Sequence, residues 1–301
     1  MRLVSFTEAR GGEVRIGAVL DGGVLVDLAA AQAALGDAGP ALPGDMTALL
    51  GGGDAALVAA ARALAFAARP EQAALRRPLA AVQLLAPVPR PGKILGIGRN
   101  YAEHAREVGG PTQEVPRVFM KPASAVCGPG ATVRIPAAVK KPDWEVELAV
   151  VIGRPAREVA EAQALHHVAG YTVLNDVSAR EFQFDVAPPQ TSFAKGMDGF
   201  CPMGPWLVTA DELGEPWSLD LRCWLNGELV QQGNTRDLIF PVATLIAHLS
   251  RYMTLLPGDI IATGTPSGSG AFRKPPVWLQ DGDLMRLEVE GIGVLEHRIA
   301  R

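Results

Sequence analysis

Cysteine is scarce: Cys127, Cys201 and Cys223 stand far apart among 301 residues and are odd in number. That excludes a disulfide framework and a thiolate zinc site, and leaves buried free thiols. Basic charge is also short. Twenty-eight Lys and Arg face 32 Asp and Glu, a net charge of −4, so no basic field exists to hold nucleic acid. No apolar run reaches the length of a membrane span, and the Ala-rich stretch near Ala60 is broken by Arg62. Residues Met1 to Glu8 lack the apolar core of a signal peptide, so a cytoplasmic protein without membrane partners is expected. Nucleotide and nucleophile motifs fail as well. Gly96-Ile97-Gly98 begins like a dinucleotide fingerprint, but its sixth position is Tyr101. In Gly264-Thr265-Pro266-Ser267-Gly268 the serine is displaced by one position from a nucleophile elbow, and no P-loop lysine follows. What remains is an ordinary globular composition, 48% hydrophobic and 20% charged, long enough to bury a sizeable core.

Along the chain, residues 1 to about 28 alternate as short strands, with Asp21-Gly22-Gly23 as a hairpin turn. Residues 29 to about 79 are rich in Ala and Leu, with breaks at Gly36, Gly39-Pro40 and Gly51-Gly52-Gly53, and read as short helices. The Pro87–Gly92 segment is a proline-rich linker. It divides a small accessory domain, 1–86, from a strand-rich domain, 87–301. A helix is expected from about Pro241 to Leu255, with Val242, Leu245, Ile246, Leu249 and Met253 on one face and His248 packing beside them.

Three patterns carry chemistry. In Asp143-Trp144-Glu145-Val146-Glu147 a strand enters a fully apolar run, and alternation puts Glu145 and Glu147 on the same face. Two carboxylates entering an apolar strand repel each other and are costly to desolvate. A divalent cation removes that penalty; a solvated edge strand is the other reading. A second apolar strand, Val168–Leu174, ends at Asn175-Asp176. Three carboxylates without Cys or His nearby suit a hard cation, Mg2+ or Mn2+, rather than zinc. The third pattern follows the strand Lys93–Ile97. His104 and Glu107, three apart on a helix, share a face. A carboxylate beside an imidazole fixes its tautomer, as a general base requires, although an ordinary surface ion pair has the same spacing. Gly98, Gly109 and Gly110 flank this helix as hinge points.

These residues, taken in order, resemble the fumarylacetoacetate hydrolase family. The resemblance covers residues 93 to 299. It rests on Gly98-Arg99-Asn100-Tyr101-Ala102-Glu103-His104, Phe119-Met120-Lys121-Pro122, Asp143–Leu148, Gly170–Arg180, Lys195 before Cys201–Pro205, and Thr263-Gly264-Thr265-Pro266. It implies an α+β, β-rich roll or sandwich of mixed sheets with peripheral helices, preceded by a small N-terminal α+β domain, and a homodimer. Glu145, Glu147 and Asp176 fall on metal-ligand positions for Mg2+ or Mn2+, with Ca2+ as a stand-in in crystals. His104, Glu107 and Lys195 fall on catalytic positions, and Arg99, Arg180, Gln183 and Thr265 on substrate-contacting ones. One stretch departs from the family pattern. Phe193–Phe200 lacks the usual Lys-Ser-Phe-Asp-Thr-Phe run, and Ala187–Gln190 before it is unusual, which leaves the distal part of the pocket open.

The expected activity is hydrolysis of a carbon–carbon bond in a 2,4-diketo acid, giving pyruvate and an acid. An isomerase, tautomerase or decarboxylase of a 2-keto dioic acid such as oxaloacetate would use the same enolate. A non-catalytic metal-binding scaffold is the third alternative.

Overall fold

The computed structural model describes residues 1–9, 11–36, 39–109 and 113–301. The expected hinge residue Gly110 lies outside them. Strands and peripheral helices form the strand-rich α+β architecture that the sequence implies. A 12-stranded mixed sheet packs against a five-stranded sheet of Glu228–Asn234, Asp220–Leu225, Leu284–Val289, Gly293–Ala300 and Thr132–Arg134.

Val146–Ile152 is buried at every position because it lies inside the large sheet, antiparallel to Val168–Asn175 on one side and Ile260–Ala262 on the other. That explains its unbroken apolar run, since a strand covered on both faces does not alternate. Ile260–Ala262 then pairs in parallel with Ile94–Gly98, which pairs antiparallel with Arg117–Lys121. A Cβ on Gly96 would fall 2.1 Å from the Phe119 ring across that last pair. The glycine serves strand packing, and its likeness to a nucleotide loop is incidental.

The N-terminal hairpin forms as expected, Arg15–Leu20 against Val24–Asp27, with Gly22 and Gly23 at positive φ. Helices follow at Leu28–Leu35, Met46–Gly51 and Gly53–Ala67. The strand Arg2–Thr7 is not confined to this segment. It pairs with Cys201–Thr209, so the N-terminal strands continue the large sheet. The later helix runs Val242–Tyr252 and buries Val242, Leu245, Ile246 and Leu249, while His248 stacks edge-on against Tyr252 at 5.3 Å. The cysteines are free. Cys201 and Cys223 are buried, Cys127 is half-buried, and burial pushes the Cys127 and Cys201 thiols up to about 12. No helix among the described residues is long and apolar enough to cross a membrane.

Candidate active site

The two acidic signals converge. Carboxylate oxygens of Glu145, Glu147 and Asp176 all lie within 4.8 Å of one another. The residues are 5%, 1% and 0% exposed, which rules out a solvated edge strand. The local geometry differs from the sequence expectation in one respect. The strand begins at Val146, so Glu145 precedes it. Glu145 is held instead by cross-strand bonds: its N–H donates to Asn175 Oδ1 at 3.0 Å, and its carbonyl accepts from the Asp176 N–H at 2.9 Å. Asn175 in turn meets His297 of the five-stranded sheet, Nδ2 to Nε2, at 2.9 Å. Burial pushes the His297 imidazole down to about 3, so its neutral Nε2 accepts from the amide.

Cations crowd this acid cluster. Lys195 Nζ donates to Glu145 Oε2 at 2.7 Å and also to Asp176 Oδ2. Lys121 Nζ donates to Asp176 Oδ1 at 2.6 Å and to the Lys195 carbonyl. Arg180 donates from Nε to Asp143 Oδ2 at 2.7 Å, from Nη2 to Glu145 Oε1 at 2.6 Å and from Nη1 to Gln183 Oε1 at 2.9 Å. Burial works against the charge on Glu145, but Lys195 and Arg180 prevail and hold its carboxyl well below the usual range. Burial likewise opposes the charge on Lys195, and Asp176 and Glu145 outweigh it, so the ammonium is kept.

Glu147 is the exception. It accepts the Gly264 N–H at 2.8 Å and has no cation bonded to it among the described residues. Burial, then the Asp176 and Glu145 charges, push its carboxyl well above the ordinary 4.5. Gly264 reaches it only because the backbone there has φ +103, and a Cβ would fall 2.8 Å from Asn100 Cβ. The site therefore holds one buried carboxylate more than its cations balance. An all-oxygen cluster with surplus negative charge fits Mg2+ or Mn2+ in chemistry and in charge.

A proton balance follows. Without metal, Glu147 keeps its proton at pH values where an ordinary glutamate has lost it. Its contribution to stability is complete below 4.5 and is lost as pH rises through the raised folded value. Adding Mg2+ or Mn2+ at a pH below that raised value is expected to expel the proton. Isothermal titration in two buffers of different ionisation enthalpy should then give different apparent heats. Equal heats would remove the proton from Glu147.

His104 comes from the helix Ala102–Val108 and is its one buried residue. Its Nδ1 lies 3.1 Å from Glu107 Oε2, and its ring stands edge-on to Phe272 at 5.7 Å. With Nδ1–H donating to Glu107, Nε2 is the free proton acceptor. Glu107 also accepts the Gly268 N–H at 3.2 Å, and Glu103 accepts from Ser267 Oγ at 3.3 Å. At the start of the helix, Asn100 donates from Nδ2 to the Thr263 and Phe240 carbonyls, while its Oδ1 accepts from Phe240 N–H. At the other end, the Arg99 Nη1 donates to the Gly109 carbonyl at 3.1 Å.

A cavity of about 200 Å³ is lined by Glu145, Glu147, His104, Lys195 and Arg180, and also by Arg99, Gln183 and Thr265. Of the expected site residues only Glu107 and Asp176 are not in its wall; each contacts one that is. Thr265 Oγ1 accepts from Gln231 Nε2 at 2.9 Å, which leaves its own hydrogen to donate. Pro189, from the stretch that departs from the family pattern, lines the cavity too, as does Thr191 just after it. The sequence pointed to no site role for Lys121, Asp143, Asn175 or Gln231, nor for Arg117, which also lines the cavity. Lys121 and Asp143 stand inside recognised motifs, so a signal existed for them.

Fold and site together define an enzyme family built around a buried carboxylate cluster in a mixed sheet. The chain belongs to the fumarylacetoacetate hydrolase family: residues 93–300 match the family profile described as the fumarylacetoacetate (FAA) hydrolase C-terminal domain. It is 42% identical over 300 residues to a mitochondrial oxaloacetate tautomerase of Xenopus laevis, covering 99% of this chain and 90% of that one. To a human mitochondrial oxaloacetate tautomerase it is 45% identical over 260 residues, 86% of this chain and 81% of that one. Among solved structures it is similar to maleylpyruvate hydrolase of Sphingobium sp. SYK-6 in complex with manganese(II) and pyruvate. That match has a TM-score of 0.77 and 36% identity, and covers 100% of this chain and 99% of that one.

Proposed function

We propose that the protein is a Mg2+- or Mn2+-dependent hydrolase that cleaves a carbon–carbon bond in a 2,4-diketo acid of the acylpyruvate type. Glu145, Glu147 and Asp176 would hold the ion. The ion would supply Lewis acidity for the carboxylate and 2-keto oxygen of the substrate. The observation that carries the reading is the buried His104, which faces the same cavity as the acid cluster and is bonded at Nδ1 to Glu107. His104 Nε2 takes a proton from water, and the water oxygen bonds to the carbon of the distal ketone. The bond between that carbon and the pyruvyl unit then breaks, and its electron pair becomes the pyruvate enolate. Lys195 places positive charge where the enolate forms. Protonation at carbon completes pyruvate, and the acyl group leaves as an acid. Arg180, Gln183 and Thr265 orient the keto acid.

A second reading, keto–enol tautomerisation of oxaloacetate, is supported by the nearly full-length likeness to the oxaloacetate tautomerase of Xenopus laevis. It needs the enolate but no attacking water. The two readings part in one assay. Each of a panel of acylpyruvates, and oxaloacetate, is incubated with Mg2+-loaded protein while loss of enol absorbance and release of pyruvate are followed. Hydrolysis yields pyruvate and an acid in equal amounts from an acylpyruvate. Enol loss from oxaloacetate without pyruvate, and no reaction with any acylpyruvate, would replace the hydrolase by the tautomerase.

A further inference from the structure

A second hollow, of about 500 Å³, shares no residue with the reaction cavity. Its wall includes Glu161, Leu165, His166, Tyr171, Glu215 and Trp217, and no Lys or Arg among the described residues. Tyr171 belongs to the strand Val168–Asn175 that leads to Asp176. It stands four positions before Asn175, which is roughly 13 Å of strand.

Three elements build this hollow. The short helix Glu161–His167 supplies Glu161, Leu165 and His166, and the strand supplies Tyr171. Glu215 and Trp217 come from the turn after the helix Ala210–Leu213, which the chain leaves through Gly214 at φ +77. That turn is pinned from behind. Thr235 Oγ1 donates to the Pro216 carbonyl at 2.8 Å and accepts the Leu219 N–H at 2.8 Å. The wall is thus formed before any ligand arrives.

Its chemistry is incomplete. Tyr171 is 2% exposed, yet its hydroxyl has no hydrogen-bond partner among the described residues. A buried phenol ordinarily finds one. Burial, then the Glu215 charge, push this phenol well above its ordinary value, so it stays an uncharged hydroxyl with lone pairs to offer. The two carboxylates are held by neutral donors. Glu161 Oε1 accepts from Thr244 Oγ1 at 2.7 Å, and Glu215 accepts the Trp217 indole N–H. Neither has a cationic partner among the described residues. Trp217, 48% exposed, presents an aromatic surface beside them. Uncompensated carboxylates, an aromatic ring and an unpaired phenol oxygen together suit a cation. Among the described residues, the one group of three acidic, His or Cys ligands close enough for a metal is the acid cluster of the reaction cavity. The cation that fits this second hollow is therefore organic.

We propose that the hollow is a binding site for an alkylammonium ion. An ammonium N–H donates to the Tyr171 hydroxyl, Glu161 and Glu215 match the charge, and the alkyl stem lies against Leu165 and the Trp217 ring. The site is independent of the reaction proposed above.

Ligand-observed NMR titration in excess Mg2+ tests this with 1-aminopentane, 1-pentanol and pentanoate, which share a chain and differ at the head. Near neutrality the amine is charged, and it should bind about tenfold or more tightly than the alcohol, with no binding of pentanoate. Glu215→Gln should weaken the amine by about tenfold. Tyr171→Phe keeps the ring and every charge and removes one hydroxyl, so amine affinity should fall by about fivefold. Trp217→Leu, at an exposed position, should lower it by about threefold and repeats the test outside the sheet, should the strand not tolerate the change. Equal affinity for amine and alcohol overturns the site. So does an amine affinity unchanged in Tyr171→Phe and Trp217→Leu, whatever Glu215→Gln does, because exposed acids alone would then account for the binding.

Discussion

Replacing Glu147 by glutamine is expected to abolish turnover while leaving the metal-free protein as stable as the parent, or more so. The side chain is buried, has no cation partner among the described residues, and sits beside two other carboxylates. Glutamine keeps an oxygen to accept the Gly264 N–H and removes the acid that the neighbours oppose. Stability should therefore hold, and should rise at pH values where the parent's Glu147 would lose its proton, because the amide brings no charge to the site at any pH. The metal should then bind weakly, since one of three anionic ligands is gone. A bound ion supplies several kcal/mol of charge stabilisation, so the loss in kcat/KM should be roughly a thousandfold or more. Calorimetric melting with and without Mg2+ checks both halves. The parent should gain several degrees on adding the ion, and the variant little. Glu145→Ala and Asp176→Ala should lose activity equally, with a stability cost, because each leaves buried Lys195 with one acidic partner fewer. Full activity in excess EDTA would end the metal assignment.

His104→Ala is expected to lower turnover by about a hundred- to ten-thousandfold, the range for loss of a general base. Affinity for the chelating end of the substrate should change far less, because the acid cluster, Arg180 and Thr265 do not depend on the imidazole. Oxalate mimics a pyruvate enolate and needs no proton acceptor, so it should inhibit variant and parent about equally. Glu107→Gln should give a smaller loss. It preserves a bond to Nδ1 but gives up the charge that favours the imidazolium formed when water loses its proton. Steady-state kinetics on one acylpyruvate, with oxalate inhibition measured alongside, decides the matter. Near-parental turnover in His104→Ala would reduce the pair to a packing contact and favour the tautomerase.

How much of this was legible in the sequence depended on the distance over which each contact acts. His104 and Glu107 are a short-range pair that the period of a helix brings together; Glu145 and Glu147 are close in sequence too, although bonds to Asn175 and Asp176, not strand alternation, hold Glu145 in place. The apolar run Val146–Ile152 announced a covered strand. The resemblance to a family supplied the rest of the expected site. Missing were the groups that approach from far along the chain. Lys121 reaches Asp176 across 55 residues, Asp143 holds Arg180 across 37, and His297 meets Asn175 across 122. No periodicity reports such a pairing, because it is set by strand order in the sheets. The same reason hid Arg117. It stands 18 positions after Arg99, and only the register with Gly98 brings the two side by side. The pairing of Arg2–Thr7 with Cys201–Thr209 was equally silent, since two apolar strands 200 residues apart carry no mark of each other.

The helix that carries His104 is anchored unequally. At its entrance, Asn100 is bonded through both side-chain atoms to two separate loops, its carbonyl accepts from Ile239 N–H, and Tyr101 bridges to Leu238. Toward its exit, the Arg99 bond to Gly109 and the Gly268 N–H bond to the Glu107 side chain do the corresponding work. Such an element behaves as a lever with its fulcrum at residue 100. A rigid rotation moves each residue in proportion to its distance from the fulcrum, and His104 stands less than halfway to Gly109. In such a rotation the imidazole travels less than half as far as Gly109, so the proton acceptor keeps its place better than the end of the helix does.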